Sequence, residues 1–306
     1  MPYARTRRID VAHPYRGVAT HHVDLDDIVQ RAHALSLLLS EGVAISHSSA
    51  ALVRGLPLPR AWRLDPMLHV SVPRPRRAPR IAGVHGHSLE LSDAEVEHLL
   101  VVAPSTREAL PVPLVDEPLT LMTCATQLAL PDVVALADAM LRRAAVEGRS
   151  DPMIAALELG PDRPGLARLR RAAPLRRAGV RSRAETHLRL LIASAGLPEP
   201  VVAHPVHSTT LSSESWVAEA DLAWPQHDVL LEYEGDGHRT SRRQFALDVR
   251  RFDRYADEGW RGVRATRADV YDDPRELMRR LARRLIEGGW RPPRRWRLRE
   301  VAPAIA

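Results

Sequence analysis

Three acidic side chains in the C-terminal part of the chain stand where strand-forming residues would place them close together. Glu232 and Glu234 are two residues apart in Val-Leu-Leu-Glu-Tyr-Glu, a run that indicates a strand, so both point to the same face. Asp221 closes the preceding alternating segment, and a hairpin through Trp-Pro-Gln-His-Asp would bring it within reach of Glu232. Because like charges side by side repel, we expect a cation between them or close by.

Two or three carboxylates around one cleft, with few fixed cations among them, form a site suited to Mg²⁺ or Mn²⁺. Glu185, on a predicted helix upstream, is a candidate third oxygen ligand. Ser182 and Glu185 also match a helix capping box, which would explain Glu185 without a metal, and the two roles are compatible. Asp221 has an alternative role as a turn residue, and Glu232 has one as the partner of an arginine.

One histidine follows the acidic strand. His238 comes after Gly235-Asp236-Gly237, a flexible turn that lets a backbone or a phosphate approach closely. A single histidine after a turn is usually a surface residue. Beside a carboxylate cluster, His238 is also a candidate general base.

The elements around these residues have a recognisable order. Periodicity and caps predict a helix, three strands, a helix, a strand and a last helix, at 182–195, 201–208, 215–224, 228–234, 241–258, 260–266 and 272–289. The order αβββαβα places Asp221 and Glu232 on neighbouring strands. The chain after residue 288 is basic and Pro-containing, and we expect it to be poorly ordered.

The segment from about 182 to 287 resembles the PD-(D/E)XK nuclease superfamily, in particular its small Vsr-like (very-short-patch-repair-type) endonuclease domains. Their signature is an Asp at a strand end, a Glu-x-Asp/Glu-Gly strand, and then a His or Arg. Here these are Asp221, Glu232-Tyr233-Glu234-Gly235 and His238. Further similarity lies in Glu185, Asp248, Arg251 and the segment Gly-Trp-Arg-Gly-Val-Arg-Ala-Thr.

This resemblance implies that Asp221 and Glu232 hold Mg²⁺ or Mn²⁺, together with the main-chain carbonyl of Tyr233. The metal would polarise a scissile phosphate and lower the pKa of a bound water. Arginines of a basic connector, with Arg242 and Arg243, would hold the DNA backbone.

The chain departs from the superfamily at one position. The usual lysine two residues after the second carboxylate is Glu234 here, in a chain that contains no lysine. Three interpretations remain open: His238 compensates, Glu234 binds a second ion, or cleavage has been lost and only DNA binding remains.

The first half of the chain predicts helices at 26–41 and 46–55, followed by two alternating segments that look like a hairpin around Arg-Pro-Arg-Arg-Ala-Pro. Two more helices, broken at Pro131, are predicted over 119–145. Residues 26 to about 145 are similar to the N-terminal winged-helix region of AbiEi-type antitoxins from type IV toxin–antitoxin systems. That resemblance places the second helix in the major groove and the wing on phosphates. The implied DNA contacts are Arg54, Arg74, Arg76 and Arg77. The alternative is a small helical domain that only packs against the nuclease.

The expected fold class is therefore α/β (α+β), with a C-terminal restriction-endonuclease-like αβββαβ core and a mostly helical N-terminal domain of winged-helix type. The predicted divisions are an N-terminal arm, a winged-helix-like domain, a basic connector, a nuclease-fold domain and a basic tail, at 1–25, 26–145, 146–181, 182–288 and 289–306. The connector is either a solvated surface helix or a patch for nucleic acid.

Composition limits the function classes. The chain has 306 residues, a formal charge of +6 and one cysteine, Cys124, which excludes an internal disulfide framework. No run approaches the length of a membrane helix, so we expect a cytoplasmic protein with no membrane partner. Neither a glycine-rich phosphate loop after a strand nor a Gly-x-Ser-x-Gly motif is present, which argues against a small-molecule enzyme.

Two functions remain. The first is a Mg²⁺-dependent DNA endonuclease anchored by an N-terminal DNA-binding domain. The second is an antitoxin-like DNA-binding transcriptional regulator whose nuclease fold is inactive. DNA is the expected partner in both, and the candidate protein partners are a second copy of the chain or a neighbouring toxin-type protein.

Overall fold

The computed structural model describes residues 11–21, 24–65, 67–103, 106–208, 215–235 and 242–304, with the backbone alone at 215–217 and 242–249. The chain divides into two compact units, Met1–Leu175 and Arg176–Ala306. The division falls inside the predicted connector 146–181. Within the described ranges, no helix combines the length and the apolar character that crossing a membrane requires.

Unit 1 is a mixture of helices and strands. Its elements are β1 (Val11–Tyr15), β2 (Val18–His21), α1 (Ile28–Ser36), β3 (Ala44–Ile45), α2 (His47–Val53), α3 (Arg60–Arg63), β4 (Leu68–Pro73), β5 (Val84–Leu89), β6 (Val96–Val102), β7 (Ala109–Val115), α4 (Glu117–Gln127), α5 (Leu130–Val146), α6 (Pro152–Glu158) and α7 (Leu166–Ala172). Five strands form one sheet in the order β5-β4-β3-β7-β6, and β1 and β2 form a separate antiparallel pair. The unit is therefore less helical than the sequence predicted.

The two strands around the arginine-rich loop do not form a hairpin. β4 and β5 pair in parallel, from Leu68 opposite Val84 to Pro73 opposite Leu89. The hairpin prediction was wrong because alternation of apolar and polar residues fixes which face a side chain takes and leaves the strand direction open. In this sheet β3–β4 and β6–β7 are antiparallel pairs, and the sequence did not predict the β6–β7 pair. Pro111 and Pro113 in β7 weaken its strand signal.

The helices of unit 1 follow the sequence more closely. α1 begins after Asp27, whose side chain accepts hydrogen bonds from the backbone N–H groups of Val29 and Gln30. The break predicted at Pro131 is confirmed, with Pro131 in the first turn of α5. In the predicted connector, α6 and α7 bury apolar side chains, among them Met153 and Leu169. This segment therefore packs as part of unit 1.

Unit 2 has the predicted order αβββαβα, with one short extra helix. Its elements are α8 (Arg183–Ser194), β8 (Val201–Ser208), β9 (Ser215–Trp224), β10 (Val229–Glu234), α9 (Arg242–Asp257), β11 (Arg261–Thr266), α10 (Arg267–Tyr271) and α11 (Arg275–Glu287). The sheet order is β11-β10-β9-β8. β8, β9 and β10 are antiparallel neighbours, whereas β10 and β11 are parallel, since α9 carries the chain between them.

Apolar side chains cover both faces of this sheet. On one face, Leu222 and Leu231 pack with Leu188 of α8 and Leu281 of α11. On the other face, Leu230 and the alanines of β9 pack against Tyr255 of α9. Because successive strand residues point to opposite faces, Glu232 shares the α9 face with Leu230. Unit 2 is thus a sheet between two helical layers, and Glu232 of the acidic strand faces α9.

The basic tail is ordered against unit 2, contrary to expectation. Trp290, Trp296 and Leu298 pack on the larger core cluster. The Trp296 indole N–H donates to the carbonyl of Gly196 at 2.7 Å, and the backbone N–H of Arg299 donates to the carbonyl of Ala195 at 3.1 Å. The arginines of this segment suggested that it is solvated, but the apolar residues between them pack against the core and are partly buried.

A glycine in β11 allows close packing of α9 on the sheet. A Cβ atom at Gly262 would lie 2.6 Å from Cε1 of Phe252. We predict that Gly262→Ala lowers the free energy of unfolding by about 1–3 kcal/mol, because the ring must leave its packed position over the sheet, where it also contacts the guanidinium of Arg264. Urea denaturation measures this loss. Gly235→Ala is the control, since its Cβ would meet Tyr233 at an ordinary 3.5 Å. Equal midpoints for the two variants would contradict this account of the packing.

Candidate active site

Asp221 lies where the β9–β10 ladder ends. The last paired residues are Leu222 and Leu231, and beyond them the Asp221 carboxylate accepts a hydrogen bond from the backbone N–H of Tyr233 at 2.8 Å. The side chain thus replaces a main-chain acceptor and brings Asp221 beside the next residue of β10, Glu232. The hairpin predicted between these strands is confirmed.

Glu232 is almost entirely buried, with 3% of its surface exposed. The hydroxyl of Tyr255 donates to its Oε1 at 2.9 Å, and Nη2 of Arg251 lies 3.5 Å from its Oε2. Burial, followed by the charge of Asp221, raises the pKa of Glu232 to about 7. Arg251 lowers that pKa only in part, so the carboxylate sits in a field that favours an additional cation.

Glu185 reaches the same region from the first turn of α8. Ser182 accepts a hydrogen bond from the backbone N–H of Glu185 at 3.2 Å, and the Glu185 carboxylate accepts one from the backbone N–H of Arg181 at 2.8 Å. Ser182 therefore caps α8 as predicted, while the Glu185 carboxylate accepts from the residue before the cap and not from the Ser182 N–H that a capping box uses. Burial, followed by the charge of Asp221, also raises the pKa of Glu185 to about 7.

The three carboxylates form an electrostatic cluster. Burial raises the pKa of Asp221 as well, and the charge of Asp221 raises the pKa of both Glu185 and Glu232. Among the described residues, the three do not bring one oxygen each within 4.8 Å of one another. A single ion would therefore be bound by fewer than three of them directly, with water completing its shell, which is usual for Mg²⁺.

Glu234 does not join this cluster. Its side chain is 42% exposed, and Nε of Arg264 lies 3.2 Å from its Oε1. The Arg264 guanidinium also lies over the ring of Phe252, 3.9 Å from the ring centre. Glu234 is therefore paired with an arginine of the neighbouring strand.

A basic cavity adjoins this pair. It has a volume of about 570 Å³ and is lined by Phe252, Gly262, Val263, Arg264, Arg280, Arg283, Arg284 and Glu287. Arg280 pairs with Asp269 and Arg284 with Glu287, at 2.9 Å each. Arg283 is exposed on α11. Four guanidinium groups around one cavity suit a phosphate-bearing ligand.

Of the residues predicted to contact DNA in unit 1, some are buried and others are exposed. Residues 46–51 of the second helix region are buried, so α2 does not present the surface that entry into a major groove requires. Arg54 is also directed inward, with 5% of its side chain exposed and Nη2 at 2.7 Å from both Glu97 Oε2 and the carbonyl of Val115. Neither α2 nor Arg54 is therefore exposed as contact with DNA would require.

Arginines of the loop between β4 and β5 are exposed. These are Arg74, Arg76 and Arg77, the residues predicted on the wing, with Arg80 beside them. Nη1 of Arg76 donates to the carbonyl of Glu41 at 2.8 Å. The loop offers a basic surface, although its flanking strands are parallel. His238 lies outside the described residues, and so do the side chains of Arg242 and Arg243.

The sequence interpretation missed Tyr255. Arg251 and Tyr255 are four residues apart on α9, so they occupy the same helix face and both reach Glu232. That spacing was a usable signal once α9 was placed over β10. Tyr255 contacts one carboxylate oxygen of Glu232 and Arg251 lies near the other, so these two residues of α9 fix the orientation of the carboxylate.

Comparison with known proteins gives distant relatives only. The chain is 29% identical over 166 residues to uncharacterized protein MT2308 of Mycobacterium tuberculosis (strain CDC 1551 / Oshkosh) and to uncharacterized protein Rv2248 of strain ATCC 25618 / H37Rv. Each match covers 54% of this chain and 59% of the relative. The chain thus spans less than two thirds of these relatives. No family model and no solved structure matches it.

Proposed function

We propose that the chain is a divalent-metal-dependent DNA endonuclease whose reaction centre is in unit 2. The observation that carries the proposal is the convergence of Glu185, Asp221 and Glu232 from one helix and two strands. Each of these carboxylates has a raised pKa, and Asp221 contributes to the shifts of the other two. Burial is the main cause of the three shifts, and the charge of Asp221 adds to those of Glu185 and Glu232, so a bound cation would stabilise the ionised forms.

The donor set fits a hard cation. Asp221 and Glu232 would hold Mg²⁺ or Mn²⁺ with carboxylate oxygens, and the Tyr233 carbonyl and Glu185 are further oxygen donors. Bound there, the metal would act as a Lewis acid on a phosphate and lower the pKa of a water. Tyr255 and Arg251 hold Glu232 in one orientation, as outer-shell groups do around metal ligands.

The arginine-lined cavity supports the choice of DNA as substrate. Arg264 contacts both the acidic strand, through Glu234, and the cavity, so a backbone phosphate bound there would lie close to β10. The exposed arginines of the β4–β5 loop are further phosphate contacts. Such contacts position DNA and carry no sequence information.

We predict that Arg283→Ala weakens DNA binding and lowers the slope of log K against log salt concentration by about 0.9, the value for one lost phosphate contact. Fluorescence anisotropy of a labelled duplex between low and moderate salt measures the slope. Arg275→Ala is the control, because Arg275 lies on the same helix but pairs with Asp273 outside the cavity. An equal decrease in slope for both variants would remove the cavity from the DNA surface.

The activity is tested on the full chain with supercoiled plasmid and with Mg²⁺, Mn²⁺ or EDTA. We expect nicked or linear product with either metal and none with EDTA. Calorimetric titration of each metal should show binding to the same preparation. DNA binding that needs no metal, together with intact plasmid under every condition, would refute the endonuclease.

A second candidate function is favoured by the state of Glu232. That carboxylate is almost fully buried and already accepts a hydrogen bond from Tyr255, as a structural residue would. In that case unit 2 would be an inactive nuclease fold, and the chain would be a DNA-binding regulator. The plasmid assay separates the two, since the regulator binds duplex DNA and leaves it uncut.

A further inference from the structure

Three histidines meet inside unit 1, far apart in sequence. His47 begins α2, His69 lies on β4, and His87 lies on β5. One ring nitrogen of each lies within 4.8 Å of those of the other two. The closest pair is Nδ1 of His69 and Nε2 of His87, 2.9 Å apart. The three rings also stack, with 3.8 Å between the centres of His47 and His87. We call this group the histidine cluster.

Neighbouring polar groups determine which nitrogens have a lone pair to offer. The Gln127 amide oxygen accepts from the backbone N–H of Ser48 at 3.3 Å, so its NH₂ group faces Nδ1 of His69, also at 3.3 Å. An amide NH₂ only donates, and Nδ1 of His69 is therefore an acceptor. Nε2 of His87, 2.9 Å away, then carries a proton and donates to the same lone pair. A bound cation would replace these donors on Nδ1 of His69, and the His87 proton would move to the other ring nitrogen.

His47 is oriented by a different pair of groups. Nδ1 of His47 lies 2.9 Å from Oγ of Ser46, which accepts a hydrogen bond from Ser71 at 2.7 Å. This leaves Nε2 of His47 for a further ligand. Metal-binding histidines commonly have their second nitrogen fixed by such an outer contact.

Hydrogen bonds do not fully satisfy the cluster. His69 is 5% exposed, and its Nε2 is buried without a hydrogen-bond partner among the described residues. His47 adopts a φ of 55°, in the left-handed region that a histidine rarely occupies. Because Nδ1 of His69 accepts, its unpaired Nε2 carries the ring proton and is not the atom offered to an ion. The left-handed backbone of His47 costs stability, and such strain persists where a site depends on it.

We propose that His47, His69 and His87 form a binding site for one borderline-soft divalent cation of the zinc class. Imidazole nitrogens suit Zn²⁺ and neighbouring transition metals, whereas Mg²⁺ prefers oxygen. The 2.9 Å between Nδ1 of His69 and Nε2 of His87 is a hydrogen-bond distance, and it would have to lengthen to about 3.3 Å for both nitrogens to bind one tetrahedral ion. The three ligand atoms already lie within 4.8 Å of one another. This site is chemically separate from the carboxylates of unit 2 and does not depend on the proposed nuclease.

The surroundings suit such an ion. Three protein ligands leave a fourth position for water. A cavity of about 140 Å³ borders His47, and its lining includes the polar side chains of Thr123 and Asp162. The ion would tie α2 to the β4–β5 pair.

The test uses the full chain without a histidine tag, freed of metal with EDTA and dialysed at pH 7.5. Co²⁺ is titrated while visible absorption is recorded, and Zn²⁺ is then added to displace it. We expect one ion per chain, with the visible bands of low-coordinate Co²⁺. His69→Ala and His87→Ala should each weaken binding at least 100-fold, because each removes one of three ligands.

His85→Ala is the matched control. His85 lies on β5 opposite His69 and near its ring, but outside the cluster, so its loss should change affinity less than about threefold. Because the carboxylates of unit 2 would also take up Co²⁺, the visible bands, and not the total uptake, report binding at the histidine cluster. Equal binding by wild type and His87→Ala, or no uptake by wild type, would show a hydrogen-bonded imidazole cluster without a metal.

Folding of the variants is controlled separately. Circular dichroism and melting in EDTA should match the metal-free wild type for His87→Ala. If a variant does not fold, X-ray absorption of the Zn²⁺-loaded wild type still decides the matter. A first shell with three imidazoles supports the site, and a shell of oxygen atoms alone overturns it.

Discussion

Replacing Asp221 by Asn is expected to reduce metal-dependent plasmid nicking by at least about 100-fold, since loss of even an outer-shell partner of a metal site costs 10- to 100-fold. Asn keeps a carbonyl oxygen that can accept the hydrogen bond from the backbone N–H of Tyr233, so β9 and β10 should stay in register. The variant loses the negative charge that attracts the ion. Initial nicking rates over a range of Mg²⁺ concentrations measure the effect, and calorimetry should show weaker Mg²⁺ binding in parallel.

Glu219→Gln provides the control for this experiment. Glu219 precedes Asp221 by two residues on β9, and its carboxylate pairs with Arg181. We expect its nicking rate to remain within about threefold of wild type, because this partly exposed ion pair contributes little free energy. Full activity of Asp221→Asn, or an equal loss in both variants, would mean that the ion is not held at Asp221.

Much of unit 2 could be predicted from sequence because its signals are local. Strand runs, the Ser182 cap and the turn after Trp224 fix the element order, and the period of a strand fixes the face of Glu232. The pairing of Asp221 with the end of β10 follows from the hairpin. Tyr255 could not be placed in advance, because its contact with Glu232 depends on how α9 crosses the sheet.

Unit 1 was harder because its sheet joins strands that are distant in sequence. β3 consists of two residues, yet it lies between β4 and β7 and completes the five-stranded sheet. No local pattern reveals so short a strand. The histidine cluster has the same origin, since the parallel pairing of β4 with β5 brings His69 next to His87. Spacing along the chain therefore could not reveal that these histidines meet.

The chain contains arginine and no lysine, and its arginine-rich segments led to a further wrong prediction. Basic segments at 146–181 and 289–306 were expected to be a connector and a loose tail. The first contributes buried side chains and the second contributes partly buried apolar side chains to the cores. An arginine keeps its charge in water while its aliphatic stem, and the apolar residues between arginines, pack inward. Net charge thus indicates a class of partner and does not indicate which segments are loose.

The second large effect is expected on stability and concerns Glu232→Gln. The groups that face Glu232 are Asp221 and Glu185, which raise its pKa, and Arg251 and Tyr255, which lower it. Its pKa is about 7 in the folded protein against an ordinary value of 4.5. The folded state therefore binds more protons than the unfolded state between these pH values, and the metal-free protein loses stability as pH rises through them.

The glutamine variant removes this loss. From the pKa difference, one such group destabilises the folded protein by about 3 kcal/mol above pH 7. Because the variant also loses the contact with Arg251, we expect Glu232→Gln to be more stable than wild type at pH 8 by about 1–3 kcal/mol. At pH 4.5 the two should be alike, since Glu232 is then protonated in the folded state. Denaturant unfolding in EDTA at both pH values measures the difference.

Mg²⁺ should distinguish the two proteins at pH 8. A cation that binds only the folded wild type restores its stability by RT ln(1 + [Mg²⁺]/Kd), whereas the near-isosteric Glu232→Gln variant should respond far less. Tyr255→Phe is the control, because it removes the hydroxyl that donates to Glu232 and leaves the carboxylate charge in place. It should therefore keep both the pH dependence and the response to Mg²⁺. A wild-type protein that is equally stable at pH 5 and pH 8 in EDTA, and indifferent to Mg²⁺, would mean that Glu232 carries no strained charge for a metal to relieve.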